Sequence, residues 1–144
     1  MGITQDNQAS DTRKTARSEK RRISVVDDDE SVREALKGLL RSAGFGAEVY
    51  ASAENFLRSG ALRDTECLIL DVRMPGMGGV ELQRLLALAG HDIPVIFITA
   101  HGDEETRAQA LGVNVADFLP KPFSDELLLE AINRALGSVG GQSH

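Results

Sequence analysis

From residue 22 onward, short apolar runs alternate with longer stretches in which apolar positions recur every three or four residues. An unbroken apolar run of four or five suits a strand, whereas a period near 3.6 suits a helix burying one stripe. The first run, Ile23-Ser24-Val25-Val26, stops at three aspartates, and Val32, Ala35, Leu36, Leu39 and Leu40 follow at helical spacing. This predicts a strand and then a helix capped near Asp29. Gly44 and Gly46 end that helix, residues 47–50 form a weaker second strand, and Ser52 caps a short helix carrying Phe56 and Leu57.

The third run, Cys67-Leu68-Ile69-Leu70, ends at Asp71 and opens a loop, residues 72–79, rich in turn formers. Leu82, Leu85, Leu86 and Ala89 then repeat with helical period. After Pro94 comes Val95-Ile96-Phe97-Ile98, ending at Thr99, a run suited to a strand covered on both faces. A helix is expected from about Asp103, a short fifth strand over residues 115–119, and a last helix from Ser124, with Asp125 and Glu126 in its positive first turn. Leu128, Ala131, Ile132, Ala135 and Leu136 make its core stripe, and Gly137 ends it. Five βα units with right-handed crossovers form an α/β, doubly wound parallel sheet with helices on both faces. The flavodoxin-like (βα)5 order 2-1-3-4-5 places strands one and three side by side at the switch point.

Charge divides the chain. Residues 1–22 carry six basic residues against three acids, leaving 10 basic and 19 acidic residues, a formal −9, for residues 23–144. Residues 1–21 are therefore expected to be a basic, solvated, disordered extension, 22–137 the folded domain, and 138–144 a loose glycine-rich tail. An acidic domain gains nothing from a phosphate backbone, which argues against direct nucleic-acid binding by it. Cys67 is the sole cysteine, so no internal disulfide forms and a reducing cytoplasm fits. No apolar run reaches the roughly 20 residues that span a bilayer, so no membrane role is expected.

The strand ends carry the chemistry. This register puts Asp27 and Asp28 after strand one, Asp71 after strand three, Thr99 after strand four and Lys121 after strand five. Three carboxylates in one crevice repel and raise one another's pKa unless a cation sits among them. A hard divalent ion that prefers oxygen ligands and keeps several waters, Mg²⁺, is the natural occupant. A carboxylate beside such an ion serves as ligand alone or also as a nucleophile toward phosphorus. Lys121 as cation and Thr99 as hydroxyl donor favour the second role, because phosphoryl transfer is catalysed by positioning and charge stabilisation.

Four stretches, Val25-Val26-Asp27-Asp28-Asp29-Glu30, Leu70-Asp71-Val72-Arg73-Met74-Pro75-Gly76-Met77, Ile98-Thr99-Ala100-His101-Gly102 and Lys121-Pro122-Phe123, occur in order at domain-scale spacing. From about Arg22 to Leu136 the chain resembles the receiver domains of two-component response regulators, particularly the nitrogen-fixation (FixJ-like) branch. The resemblance implies that Asp71 is the phosphoacceptor, Asp28 a direct Mg²⁺ ligand, Asp27 a ligand through water, and the Arg73 main-chain carbonyl a further ligand. It implies that Thr99 and Lys121 bind phosphoryl oxygens, that the Lys121–Pro122 peptide is cis, and that Thr99 and Phe118 transmit the switch to the fourth and fifth βα units. Phe118 stands where many relatives carry Tyr, so only packing reports the state. The implied partners are a sensor histidine kinase or a histidine phosphotransfer protein, and a second copy in a phosphorylation-dependent homodimer. The chain is compatible with a stand-alone receiver and with a piece of a longer regulator.

Competing readings are weaker on specific residues. A phosphatase resembling haloacid dehalogenases needs an acid two residues after its nucleophile, where this chain has Arg73. A flavin carrier needs hydrogen-bond donors after strand one, where three aspartates would repel its phosphate. A receiver working unphosphorylated as a binding module would not need its reactive positions intact. Asp29 and Glu30 suit a helix N-terminus better than a metal shell. Cys67 reads as inert core, His101 as a solvated loop residue, and Met74 and Met77 as loop packing.

Overall fold

The computed structural model describes residues 20–100 and 114–141, with side chains as far as residue 137. In chain order come β1 (Arg22–Val26), α1 (Glu30–Ser42), β2 (Gly46–Tyr50), α2 (Ala53–Ser59), a 3-10 turn (Ala61–Asp64), β3 (Cys67–Asp71), α3 (Gly79–Leu88), β4 (Val95–Thr99), β5 (Val115–Pro120) and α4 (Asp125–Gly141). The helix expected from Asp103 and the loop residue His101 lie outside the described residues, as does most of the basic extension. α4 runs to Gly141, past the Gly137 at which the sequence pattern ended it. Extending an existing helix costs far less than nucleating one, so glycines weaken a last turn without forbidding it.

The strands are all parallel, in the order β2-β1-β3-β4-β5, the flavodoxin-like topology. Every residue of β3 and β4 is buried, as expected of central strands covered on both faces. Ile23, Val25, Ile69, Ile96 and Ile98 point to one side, against Leu36 and Leu40 of α1 and Leu128, Ile132 and Leu136 of α4. Val26, Leu68, Leu70, Phe97 and Phe118 point to the other, against Phe56 of α2 and Leu82 and Leu86 of α3. The alternation of side chains along each strand thus divides one apolar run between two cores.

Local signals set the boundaries. The Asp29 carboxylate caps α1 by accepting from the Ser31 and Val32 main chain, and the Ser52 hydroxyl accepts from Asn55 at the start of α2. The Leu127 N–H donates to Ser124 Oγ at 3.0 Å and opens α4. Asn114 precedes β5 at φ 69°, a left-handed conformation that Asn tolerates. Between β4 and β5 the register slips by one residue, Val95 facing Val115 and Ile96 facing Asp117. Beyond this bulge Phe118 and Leu119 are buried, one in each of the two cores.

Candidate functional site

Strand ends converge at the carboxyl edge of the sheet. Asp27 follows β1 directly and its N–H donates to the Tyr50 carbonyl, so the ladder carries it one residue past the strand. Asp71 and Thr99 are the last residues of β3 and β4. Lys121 follows β5, its N–H donating to the Thr99 carbonyl at 2.6 Å. Side-chain oxygens of Asp27, Asp28 and Asp71 all lie within 4.8 Å of one another.

The three carboxylates differ in environment. Asp27 is fully buried, Asp71 is 7% exposed, and Asp28 stands in solvent at the rim. Asp27 Oδ1 accepts from the Asp29 N–H at 2.9 Å, and Oδ2 accepts from Lys121 Nζ at 3.0 Å. A buried carboxylate is tolerable only when paired in this way. The Arg33 guanidinium, reaching back from α1, donates to the Asp27 carbonyl at 2.8 Å and fixes the same turn. Among the described residues, Asp71 accepts a long contact, 3.4 Å, from the Arg73 N–H. Burial, and then the charge of Asp27, push its carboxyl up to about 6, with Lys121 pulling the other way. That repulsion is what a cation among the three oxygens would relieve, so the donor set suits a hard divalent ion.

The loop after Asp71 is held closely. Gly79 packs against the Asp71 main chain, where any Cβ would collide with the Asp71 carbonyl oxygen, and its N–H donates to Val72 at 3.0 Å. The Gly78 N–H donates to Glu81 Oε1 at 2.9 Å, and the Met77 N–H donates to Glu54 Oε2 at 3.1 Å. Gly76, at φ 75°, is the left-handed residue of this loop. Neither Glu54 nor Arg33 was expected from sequence. Glu81, two residues after a Gly pair, is at least where a reciprocal helix cap would put it.

Thr99 is 2% exposed, and Phe118 is buried with its ring 6.3 Å from that of Phe97. The Lys121–Pro122 peptide is cis. Asp29 and Glu30 sit at the start of α1, the former capping it. Cys67 is buried in β3, and burial pushes its thiol up to about 12. No helix among the described residues is long and apolar enough to cross a membrane.

Residues 23–133 match the family described as the response regulator receiver domain. The response regulator protein TmoT of Ectopseudomonas mendocina is 47% identical over 114 residues, which cover 79% of this chain and 52% of TmoT. The transcriptional regulatory protein FixJ of Azorhizobium caulinodans is 41% identical over 120 residues, covering 83% of this chain and 57% of FixJ. Among solved structures, a response regulator receiver protein from Burkholderia phymatum is similar at 45% identity and a TM-score of 0.71, covering 82% of this chain and 96% of that one. The chain spans about half the length of the curated relatives it matches. An acidic triad at the switch point of a 2-1-3-4-5 sheet, on a sequence matched over these residues, makes this chain a member of the response regulator receiver domains of two-component systems, whose general function is to accept a phosphoryl group.

Proposed function

We propose that this domain, residues 22–137, works in the cytoplasm and accepts a phosphoryl group on Asp71, in an Mg²⁺-dependent reaction, from a sensor histidine kinase or histidine phosphotransfer protein. The observation that carries this reading is the placement of the Asp71 carboxylate at a strand end, within 4.8 Å of Asp27 and Asp28. Asp28 and Asp71 would hold the ion directly, Asp27 through water, and the Arg73 carbonyl would complete the protein's share. When bound, the ion offsets the charge of three carboxylates and of the incoming phosphoryl oxygens.

The remaining work falls to the chain. An oxygen of Asp71 forms a bond to phosphorus as the phosphorus–nitrogen bond of the donor phosphohistidine breaks, and the departing imidazole nitrogen takes a proton. Lys121, tethered to Asp27, turns its ammonium toward a phosphoryl oxygen. The Thr99 hydroxyl donates to another. Drawing Thr99 toward the phosphoryl group favours the inward packing of Phe118 on Phe97 and changes the surface of the fourth and fifth βα units. That surface is where a second phosphorylated copy would bind.

Intact mass after incubation with Mg²⁺ and a small phosphoramidate donor tests this. A single phosphoryl adduct is expected on the wild type and none on Asp71→Asn. No adduct on the wild type, or one that survives Asp71→Asn, overturns it.

A further inference from the structure

The loop that follows Asp71 is fastened to its surroundings at several main-chain N–H groups. Three fastenings come from within the strand–loop–helix unit itself: Arg73 N–H to Asp71 Oδ1 at 3.4 Å, Gly78 N–H to Glu81 Oε1 at 2.9 Å and Gly79 N–H to the Val72 carbonyl at 3.0 Å. Another comes from a different helix. Glu54, in the first turn of α2, reaches across to accept the Met77 N–H at 3.1 Å. Its carboxylate lies so close to Gly76 that a Cβ there would stand 2.9 Å from Oε2. Gly76 is favoured by its positive φ of 75°, and a Cβ there would push the flexible end of Glu54 aside.

The loop matters because it bears a donor to the Asp71 carboxylate. The donor described for it is the Arg73 N–H, at 3.4 Å, a long and weak contact in the same loop that Glu54 holds. Met74, between Arg73 and Met77, is buried and leaves that part of the loop little freedom.

We propose that Glu54 is a positioning residue for phosphoryl acceptance: by gripping Met77 from α2, it sets the loop whose Arg73 N–H orients the Asp71 carboxylate toward the cation. This rests on the function proposed above. The grip acts through reach rather than through net charge, since Glu54 touches the loop and none of the three aspartates.

Two variants separate reach from charge. Glu54→Gln keeps an acceptor oxygen at full length and loses the charge; Glu54→Asp keeps the charge and withdraws the carboxylate by one carbon–carbon bond, roughly 1.5 Å. Mg²⁺ affinity is measured by titration calorimetry, alongside amide exchange at Met77. The proposal expects Glu54→Asp and Glu54→Ala to bind Mg²⁺ at least about 10-fold more weakly, with faster Met77 exchange, and Glu54→Gln to stay within about 3-fold of wild type, as loss of an orienting contact behind a metal ligand does elsewhere. The phosphorylation rate should fall in Glu54→Asp at low Mg²⁺ and recover at saturating Mg²⁺. Wild-type affinity in Glu54→Asp, or a loss in Glu54→Gln equal to that in Glu54→Asp, overturns the positioning role while leaving Asp71 as acceptor. A wild type that binds no Mg²⁺ overturns both. Should Glu54→Ala fail to fold, the Asp and Gln variants decide alone.

Discussion

Lys121 Nζ sits 3.0 Å from Asp27 Oδ2 and thereby joins the end of β5 to the end of β1, across the two strands between them. Asp27 is fully buried while about a fifth of the Lys121 side chain faces solvent, so the lysine is the buried aspartate's counter-charge. Lys121→Met should therefore destabilise the metal-free domain by about 3 kcal/mol, the low end for orphaning a buried charge, because the pocket mouth admits water. Added Mg²⁺ should recover part of this by standing in for the lost cation. Urea unfolding with and without Mg²⁺ measures both; an equal deficit in the two conditions contradicts the shared-pocket account.

Asp71 predicts an unusual pH dependence. Its carboxyl is pushed up to about 6 from an ordinary value of 3.8, so between these values the folded state binds the proton more tightly than the unfolded state does. The stability this group contributes is fully present below about pH 4 and is lost as pH rises through about 6. Without metal, Asp71→Asn should melt above the wild type at pH 8, and the gap should close toward pH 5. Mg²⁺ affinity of the wild type should fall below pH 6, as protons compete for the same oxygen. Melting curves of both proteins across pH 4.5–8.5 test this; a gap independent of pH refutes it.

Gly79→Ala tests the packing beneath the acceptor. A methyl group there meets the Asp71 carbonyl, and the start of α3 must move away from the end of β3. The expected cost is about 1–3 kcal/mol, typical of an overpacked site, with phosphoryl acceptance lost more completely than stability. Urea unfolding and adduct yield on one preparation compare the two; unchanged acceptance would mean the loop adjusts without disturbing Asp71.

Cys67 should be inert in the folded domain. It is buried in β3 with its thiol pushed up to about 12, so the thiolate that alkylating reagents attack is scarce and out of reach. A maleimide at pH 7.5 should label it only as fast as the domain unfolds, and rapid labelling of the native protein would contradict its place in the core.

Much of this architecture was legible because the central strands carry redundant signals. The unbroken runs Leu68–Leu70 and Val95–Ile98 are buried on both faces, and Asp29, Ser52, Ser124 and Asn114 mark ends by their own hydrogen bonds or backbone conformation. The acidic triad was legible because each member ends a strand or lies within two residues of its end. What escaped depended on contacts between distant segments. The 3-10 turn over Ala61–Asp64 has no side-chain cap to announce it, and the bulge opposite Val95–Ile96 exists only in the pairing of two strands. Leu85 shows the limit of periodicity: it fits the helical stripe of α3, yet its side chain is exposed while Leu82 and Leu86 carry the packing. Glu54 and Met77 are 23 residues apart, and nothing local to either indicates the other.

Asp71, rather than its close neighbours Asp27 and Asp28, is expected to receive the phosphoryl group. Borohydride reduces an acyl phosphate on aspartate to homoserine, and peptide mapping of the reduced, phosphodonor-treated protein reads its position. Homoserine at position 71, dependent on Mg²⁺, is the predicted result. Homoserine at position 27 or 28, or none at all, would contradict it.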